Sequence, residues 1–447
     1  MDRLRLPGGG AILRGILVAA VAISAGGAAV PDRADADDVT AGDGAAGDAG
    51  RVAALAAAIE SGSLQLPVDP RHGLLPGLLE ALDIPASSQT LVFSKTSFQS
   101  HRIDPTHPRA VYFNDDTYVG WVPGSGLIEI ASVDPDHGAV FHTLEERDGV
   151  APRLLRDTDQ CIICHASQRT QGVPGFLVRS VLTNPAGRFV SGAPSYVTDD
   201  ASPFSQRWGG WYVTGAHGDM RHMGNSTYPG HTLTEPFDMD AGANQTRLPD
   251  RVAAGGYLVA SSDIVALLVL EHQSQAHNLL TRAAVEARAA GRLDAELGLP
   301  AGQPSDATRL RVAHAGDRLL RCLLMADAIS FTSPVRGTAA FAAEFTARGP
   351  QDAQGRSLRQ LDLDRRLFTH SCSHLVHGEQ FVRLPVAVKR HIGGRLHDIL
   401  CAGRDVAGFG HIDRHEREAI ASILVATEPE FWWTFVAPPP IGMIPAG

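Results

Sequence analysis

Between Gln89 and Ala216 the apolar residues come in short runs separated by Asp, Pro and Gly, whereas beyond Leu248 they recur at helical spacing in longer stretches. That switch of period constrains the fold more than any other feature. A period of two places alternate side chains on opposite faces of a strand, and a period near 3.6 gathers one apolar stripe on a helix. "TLVFSKTSF", "AVYFNDDTYVGWVP", "GLIEIASV" and "AVFHTLEE" predict a small antiparallel sheet, and "GFLVRSVLT", "RFVSGAPSYVT" and "GGWYVTGA" supply further strands. The later segments 261–291, "SDATRLRVAHAGDRLLRCLLMADAI", "LPVAVKRHIGGRLHDILCAG" and "DRHEREAIASILVATEPEF" predict helices, the first framed by a Ser/Asp cap and a terminal glycine. The expected fold is α+β, with a mixed β region over 85–245 followed by a helical domain over 246–447. No repeat period suggests a solenoid.

At 447 residues, 44% of them apolar, the chain can bury well-developed cores. Its net charge of −10 excludes a basic field for nucleic acid or anionic lipid. The N-terminus carries Arg3, Arg5 and Arg14, then the apolar run "GILVAAVAISAGGAA" and a small-x-small site at Ala34–Ala36. Residues 1–36 are therefore expected to form a bacterial signal peptide directing the chain to the periplasm or beyond. An uncleaved N-terminal tether is the alternative, although the run is shorter than the roughly 20 residues a spanning helix needs. Residues 37–50, small and acidic, read as a disordered tether. Residues 51–84 read as two short helices, the second broken by Pro76.

The chemistry-bearing stretch is "DTDQCIICHASQRTQGVPGF", residues 157–176. A C-x-x-C-H turn places two thiols where both vinyl groups of one porphyrin can be bonded, with an imidazole beside them for the iron. Asp157, Thr158 and Asp159 can cap such a turn. A thioredoxin-type dithiol prefers a long following helix, and a zinc site wants a second ligand pair. Here "ASQRTQGVPG" ends any helix quickly, and Cys322, Cys372 and Cys401 are isolated. With export expected, Cys161 and Cys164 read as thioether anchors of one haem c, and His165 as its proximal ligand.

The segment "CIICHASQRTQGVP" resembles the haem-binding segment of the class I bacterial cytochromes c. That resemblance implies that Pro174, on the following loop, packs against the proximal histidine and that its carbonyl holds the imidazole N–H. It covers only about 20 residues. The wider pattern, "GVPGFLVRSV" followed by "RWGGWYVTGAHGDMRHMGN", resembles large bacterial proteins carrying a single cytochrome c motif, a likeness that implies no particular reaction.

A sixth Met or His ligand would make the haem an electron carrier, while its absence would leave a ligand-binding or peroxide-reactive iron. Met223, in a glycine-bounded loop, is the expected metal ligand opposite His165, with His217, His222 and Met220 competing. Arg169, Arg179, Arg207 and Arg221 are candidate propionate partners. Trp208, Trp211 and Tyr212 suit either a core or a porphyrin wall. The mid-helix patch "EHQSQAHN" is expected to face solvent, unless His272 or His277 turns inward toward a haem or substrate pocket. "THSCSHLVHGE", with His370, Cys372, His374 and His377, is only weakly suggestive of a metal cluster. Cys322, Cys372 and Cys401 leave room for one disulfide. The functional expectation is an exported monohaem c-type cytochrome that transfers single electrons to a redox partner protein. The alternatives are a haem-dependent peroxidase or small-substrate oxidase and a haem-based sensor.

Overall fold

The computed structural model describes residues 50–147, 150–253, 255–402 and 406–437. The signal-like segment and nearly all of the expected tether lie outside the described residues. The chain opens with two helices, α1 (Arg51–Glu60) and α2 (Leu75–Ala81). Pro76 starts α2 rather than breaking it, since the first turn needs no N–H from that residue.

A seven-stranded antiparallel sheet follows. Its strands are β1 (Thr90–Val92), β2 (Arg109–Phe113), β3 (Thr117–Trp121), β4 (Leu127–Asp134), β5 (Gly138–Arg147) and β6 (Val150–Asp157), and the late strand β9 (Trp211–Tyr212) joins β1. The spatial order is β6-β5-β4-β3-β2-β1-β9. Alternation along the strands sorts the side chains. Ala110, Tyr112, Val119, Ile128 and Leu144 pack under α1 and α2. Val111, Phe113, Tyr118 and Phe141 face the other way, toward the later helices. Strand β6, absent from the sequence-based expectation, carries Pro152, Arg153 and Arg156 and forms one edge, the position where proline and charge are tolerated.

Between β6 and β9 lie the one-turn helix α3 (Ile162–His165) and a two-stranded sheet of β7 (Arg179–Val181) and β8 (Ser195–Val197). A second small pair joins β10 (Gly215–Ala216) to β11 (Arg336–Gly337). After the short α4 (Asp250–Ala253) comes α5 (Ile264–Glu296), capped by the Asp263 carboxylate on the N–H groups of Val265 and Ala266. It continues past the expected stop at Gly291, which is exposed with open space around its Cα. The roughly 1 kcal/mol cost of a mid-helix glycine is offset by burial of Ala283, Ala287 and Ala290 in the preceding turns.

Helix α5 belongs to two cores. Ile264 to Leu270 pack on the sheet with Phe141, Phe176 and Trp211. Leu279 to Ala287 pack with the helices α6 (Asp306–Leu323), α9 (Val386–Leu396) and α10 (Arg414–Thr427). The short helices α7 (Phe341–Ala347) and α8 (Glu379–Val382) complete the set. The sheet region and the helical region thus share an element, and a core crosses the expected 245/246 boundary. Among the described residues no helix is long and apolar enough to cross a membrane.

Candidate haem site

Strand β6 ends at Asp157, whose Oδ1 accepts N–H bonds from Asp159, Gln160 and Cys161 at 2.9, 2.9 and 3.3 Å. This cap starts the turn that carries Cys161, Cys164 and His165, as the acidic cluster implies. Ser167 and Thr170 form a capping box around the next turn, and Gln171 and Gly172 in the left-handed region send the chain back toward α3. The returning loop bonds at its tip: the Gly175 N–H donates to the His165 carbonyl at 2.8 Å, and His165 Nδ1 lies 2.8 Å from the Gly175 carbonyl.

The imidazole is therefore held by Gly175 and not by Pro174. The Pro174 carbonyl instead accepts the Ala139 N–H at 3.0 Å, tying the loop to the start of β5. Gly138 makes that approach feasible: its φ is +87°, and a Cβ there would sit 2.3 Å from the Pro174 oxygen. From the opposite side Asn278 of α5 accepts the Phe176 N–H at 2.8 Å and donates to the Phe176 carbonyl at 2.7 Å. His165 is thus oriented through a loop anchored on both β5 and α5. His165 Nε2 has no hydrogen-bond partner among the described residues.

Cys161, Cys164 and His165 line a cavity of about 310 Å³, within the size range of small-molecule sites. Its apolar walls are Val111, Tyr118, Phe141, Phe176, Trp211 and Leu270. The Phe141 ring lies 4.8 Å from the His165 ring, and the Trp211 indole N–H donates to the Arg179 carbonyl at 2.7 Å. Arg109 and Arg179 add positive charge to the lining, Arg109 paired with Glu129 at 2.7 Å.

The electrostatics separate the possible uses of the thiols. Burial, with Asp157 beside it, pushes the Cys161 thiol up to about 12. A redox dithiol needs the opposite shift, toward an available thiolate. Burial also lowers the His165 pKa, which keeps the imidazole neutral, the form that ligates iron. Both thiols are free. Two unpaired thiols on one turn, a neutral imidazole with one nitrogen fixed and one free, and an aromatic-walled cavity fit a covalently held porphyrin.

The expected sixth ligand lies elsewhere. Met223 is 5% exposed in a separate small cluster with Leu182, Val190 and Tyr228, its Sδ 3.8 Å from the Ser180 hydroxyl, and it does not line the cavity. Its loop folds inward on its own aromatic residues, so the thioether is spent on packing. The competing residues His217, His222 and Met220 do not reach the cavity either. The rings of His217 and His222 lie 4.7 Å apart, and burial pushes His222 down to about 3. His142 borders the cavity, but alternation on β5 turns its side chain away from the face that carries Phe141. Among the described residues, then, no methionine and no second histidine directs its side chain into the cavity.

Of the candidate arginines only Arg179 lines the cavity. Arg207 is buried against Glu271 at 2.5 Å, and Arg221 is paired with Asp240. Trp208 is fully buried in the core and Tyr212 bonds the Pro105 carbonyl, so Trp211 alone of the three aromatics forms a cavity wall. The patch "EHQSQAHN" does not face solvent. Glu271, His272, Gln273, His277 and Asn278 are all at most 4% exposed, at the junction of the two cores. Asn278, Arg109 and Gly175 are the site residues that sequence reasoning missed. Only Asn278 left a signal, as part of a polar run between two strongly apolar ones. Cys322, Cys372 and Cys401 are free, so no disulfide joins them, and Cys372 is packed in the helical core.

No protein-family model, no curated protein and no solved structure gives a significant match to this chain.

Proposed function

We propose that this chain is an exported monohaem c-type protein in which Cys161 and Cys164 hold one haem by thioether bonds and His165 ligates its iron. The group, when bound, supplies one-electron chemistry by cycling between ferric and ferrous iron. The observation that carries the reading is the fixed imidazole: Gly175 takes Nδ1 and leaves Nε2 free, beside two free thiols at an apolar cavity. The chain's contribution is orientation and an apolar wall. The loop anchored by Ala139 and Asn278 holds the ring, and Phe141, Phe176 and Trp211 supply aromatic surface against the group. Ile163, 78% exposed, and the exposed Cys164 put the attachment turn at the surface, a short route for electrons to and from a redox partner protein.

A second reading has its own observation. Among the described residues no Met and no second His directs its side chain into the cavity, which favours a haem that binds a small ligand such as peroxide or a diatomic gas, as an enzyme or sensor would.

Absorption spectra of protein secreted through its own N-terminal segment test both. Haem retained after denaturation in alkaline pyridine, and lost in the Cys161→Ser/Cys164→Ser double variant, is expected; haem that washes out of the wild type would overturn the proposal. Met223→Ala is expected to leave the oxidised and reduced spectra unchanged, and the reduced protein to bind carbon monoxide. A change of spin state in Met223→Ala restores the six-coordinate carrier with Met223 as ligand.

A further inference from the structure

On the side of α5 away from the cysteine turn, three chemically different donors converge. Asp200 follows β8, His272 lies in the first third of α5, and Cys322 is the penultimate residue of α6. One donor atom from each lies within 4.8 Å of the other two. Leu270 and Ser274, which line the haem cavity, flank His272 by two residues each, about 200° around the helix. The cluster therefore belongs to a different face and a different part of the molecule.

We propose that Asp200, His272 and Cys322 bind one divalent cation of the zinc class. Carboxylate, imidazole and thiol together are a zinc donor set, and three protein ligands leave a fourth position for water. Tetrahedral coordination at about 2.0–2.3 Å places donors roughly 3.4–3.7 Å apart, so rotamer adjustments within the observed spread suffice. The supporting parts are in place. His272 Nδ1 points at Asp200 Oδ2, 2.6 Å away, while Nε2 lies 2.7 Å from the Ser373 hydroxyl, the outer-shell partner that fixes a ligating ring. The Asp200 carbonyl is clamped by the Arg207 guanidinium at 3.1 Å and the Ile329 N–H at 3.0 Å, so its side chain starts from a fixed point. A cavity of about 280 Å³ bordered by Asp199, Asp200 and Cys322, and by Arg318 and the Arg321–Asp327 ion pair, gives an access path to two of the three donors.

The same geometry invites a rival assignment, because Ser373, His272 and Asp200 form a hydrogen-bonded chain in the order of a nucleophile, base and orienting acid. Ser373 is completely buried, caps a helical turn by accepting the Leu375 N–H at 3.2 Å, and borders none of the described cavities. The Asp200–Cys322 side, by contrast, borders a cavity.

The test is zinc uptake by the haem-loaded protein after dialysis against a chelator. One zinc per chain is expected by elemental analysis and calorimetry. Asp200→Asn and Cys322→Ser should weaken binding by more than about tenfold, and Ser373→Ala by about 10–100-fold as for other outer-shell partners. The Cys161→Ser/Cys164→Ser variant should keep the site. In the wild type, zinc should slow alkylation of Cys322 as followed by peptide mass spectrometry, a readout that depends on no variant folding. Uptake that is absent, or equal in Asp200→Asn and Cys322→Ser, or lost with Cys161 and Cys164, overturns the assignment, as does alkylation of Cys322 at the same rate with and without zinc.

Discussion

Asn278 holds the loop that orients His165 from a helix more than 100 positions further along the chain. Its amide satisfies both polar groups of Phe176, and it is only 2% exposed. Gly175 is matched to it, since a Cβ at residue 175 would lie 2.2 Å from the Asn278 Oδ1. Truncating Asn278 leaves a buried N–H and a buried C=O without partners, each worth about 1–3 kcal/mol. Asn278→Ala is accordingly expected to lose about 2–6 kcal/mol of stability, read from urea unfolding. Asn278→Asp keeps an acceptor for the Phe176 N–H but faces the Phe176 carbonyl with a buried oxygen that can donate only when protonated, so it should also lose stability, and more as pH rises. Equal stability of Asn278→Ala and wild type would show that the loop stands without the clamp. At this scale the sequence was partly legible. The spacing of Cys161, Cys164 and His165 is local, and so are the acidic caps before them. Which carbonyl takes the imidazole depends on where β5 meets the loop, and Ala139 claims that of Pro174.

The elements followed local pattern where apolar residues set the period and departed from it where a polar run is buried. Helix α1 and the hairpin strands β2 to β5 lie where apolar spacing and alternation put them. The middle of α5 did not, since a polar run is read as solvated unless something reveals partners. Those partners come from residues far away in the chain: Arg207 for Glu271, Asp200 and Ser373 for His272, and Gln380 for His277. The turn His374–His377 faces this same junction, and its histidines make stability acid-sensitive. Burial, with the Arg359 guanidinium beside them, holds His374 well below the usual imidazole range and pushes His377 down to about 4. Both stay neutral in the fold while the unfolded chain protonates near pH 6.5, so the unfolded state binds more protons below that pH. The stability they contribute is complete above about pH 6.5 and is lost as pH falls toward 4, at about 1.4 kcal/mol per pH unit for each histidine. His377→Gln should therefore flatten the stability profile between about pH 6.5 and 4 by one proton's worth. Denaturant titrations across that range check this, and parallel profiles for variant and wild type would contradict it.

At the scale of the whole molecule, the expected division at 245/246 places a boundary where the interactions are dense. The Gln89 side chain donates to the Val259 and Ser261 carbonyls at 2.8 and 2.7 Å, and the Ser262 hydroxyl accepts the Leu91 N–H at 2.9 Å. Asp263, which caps α5, also accepts the N–H groups of Thr338 and Ala339, so the helix start, the sheet and the β11 turn share one polar knot. Apolar packing follows the same route, since Val92, Phe141, Val265 and Phe368 belong to one cluster. Composition conceals this, because the shift from strand to helix pattern looks like a change of domain although α5, the first long helix of the second region, roofs the sheet of the first. Fragments ending at 245 or starting at 246 would each expose one side of that core, an apolar surface too large to leave in water. The full chain should unfold in a single transition seen alike by near-ultraviolet circular dichroism and tryptophan fluorescence. The separate fragment 246–447 should lack a cooperative transition and bind a hydrophobic dye. A fragment 246–447 with its own sharp unfolding midpoint would mean that the helical half is self-sufficient and that α5 merely rests on the sheet. In that case the loop around His165 would be held by docking of a preformed body, and Asn278→Ala would weaken that docking without lowering the stability of either half.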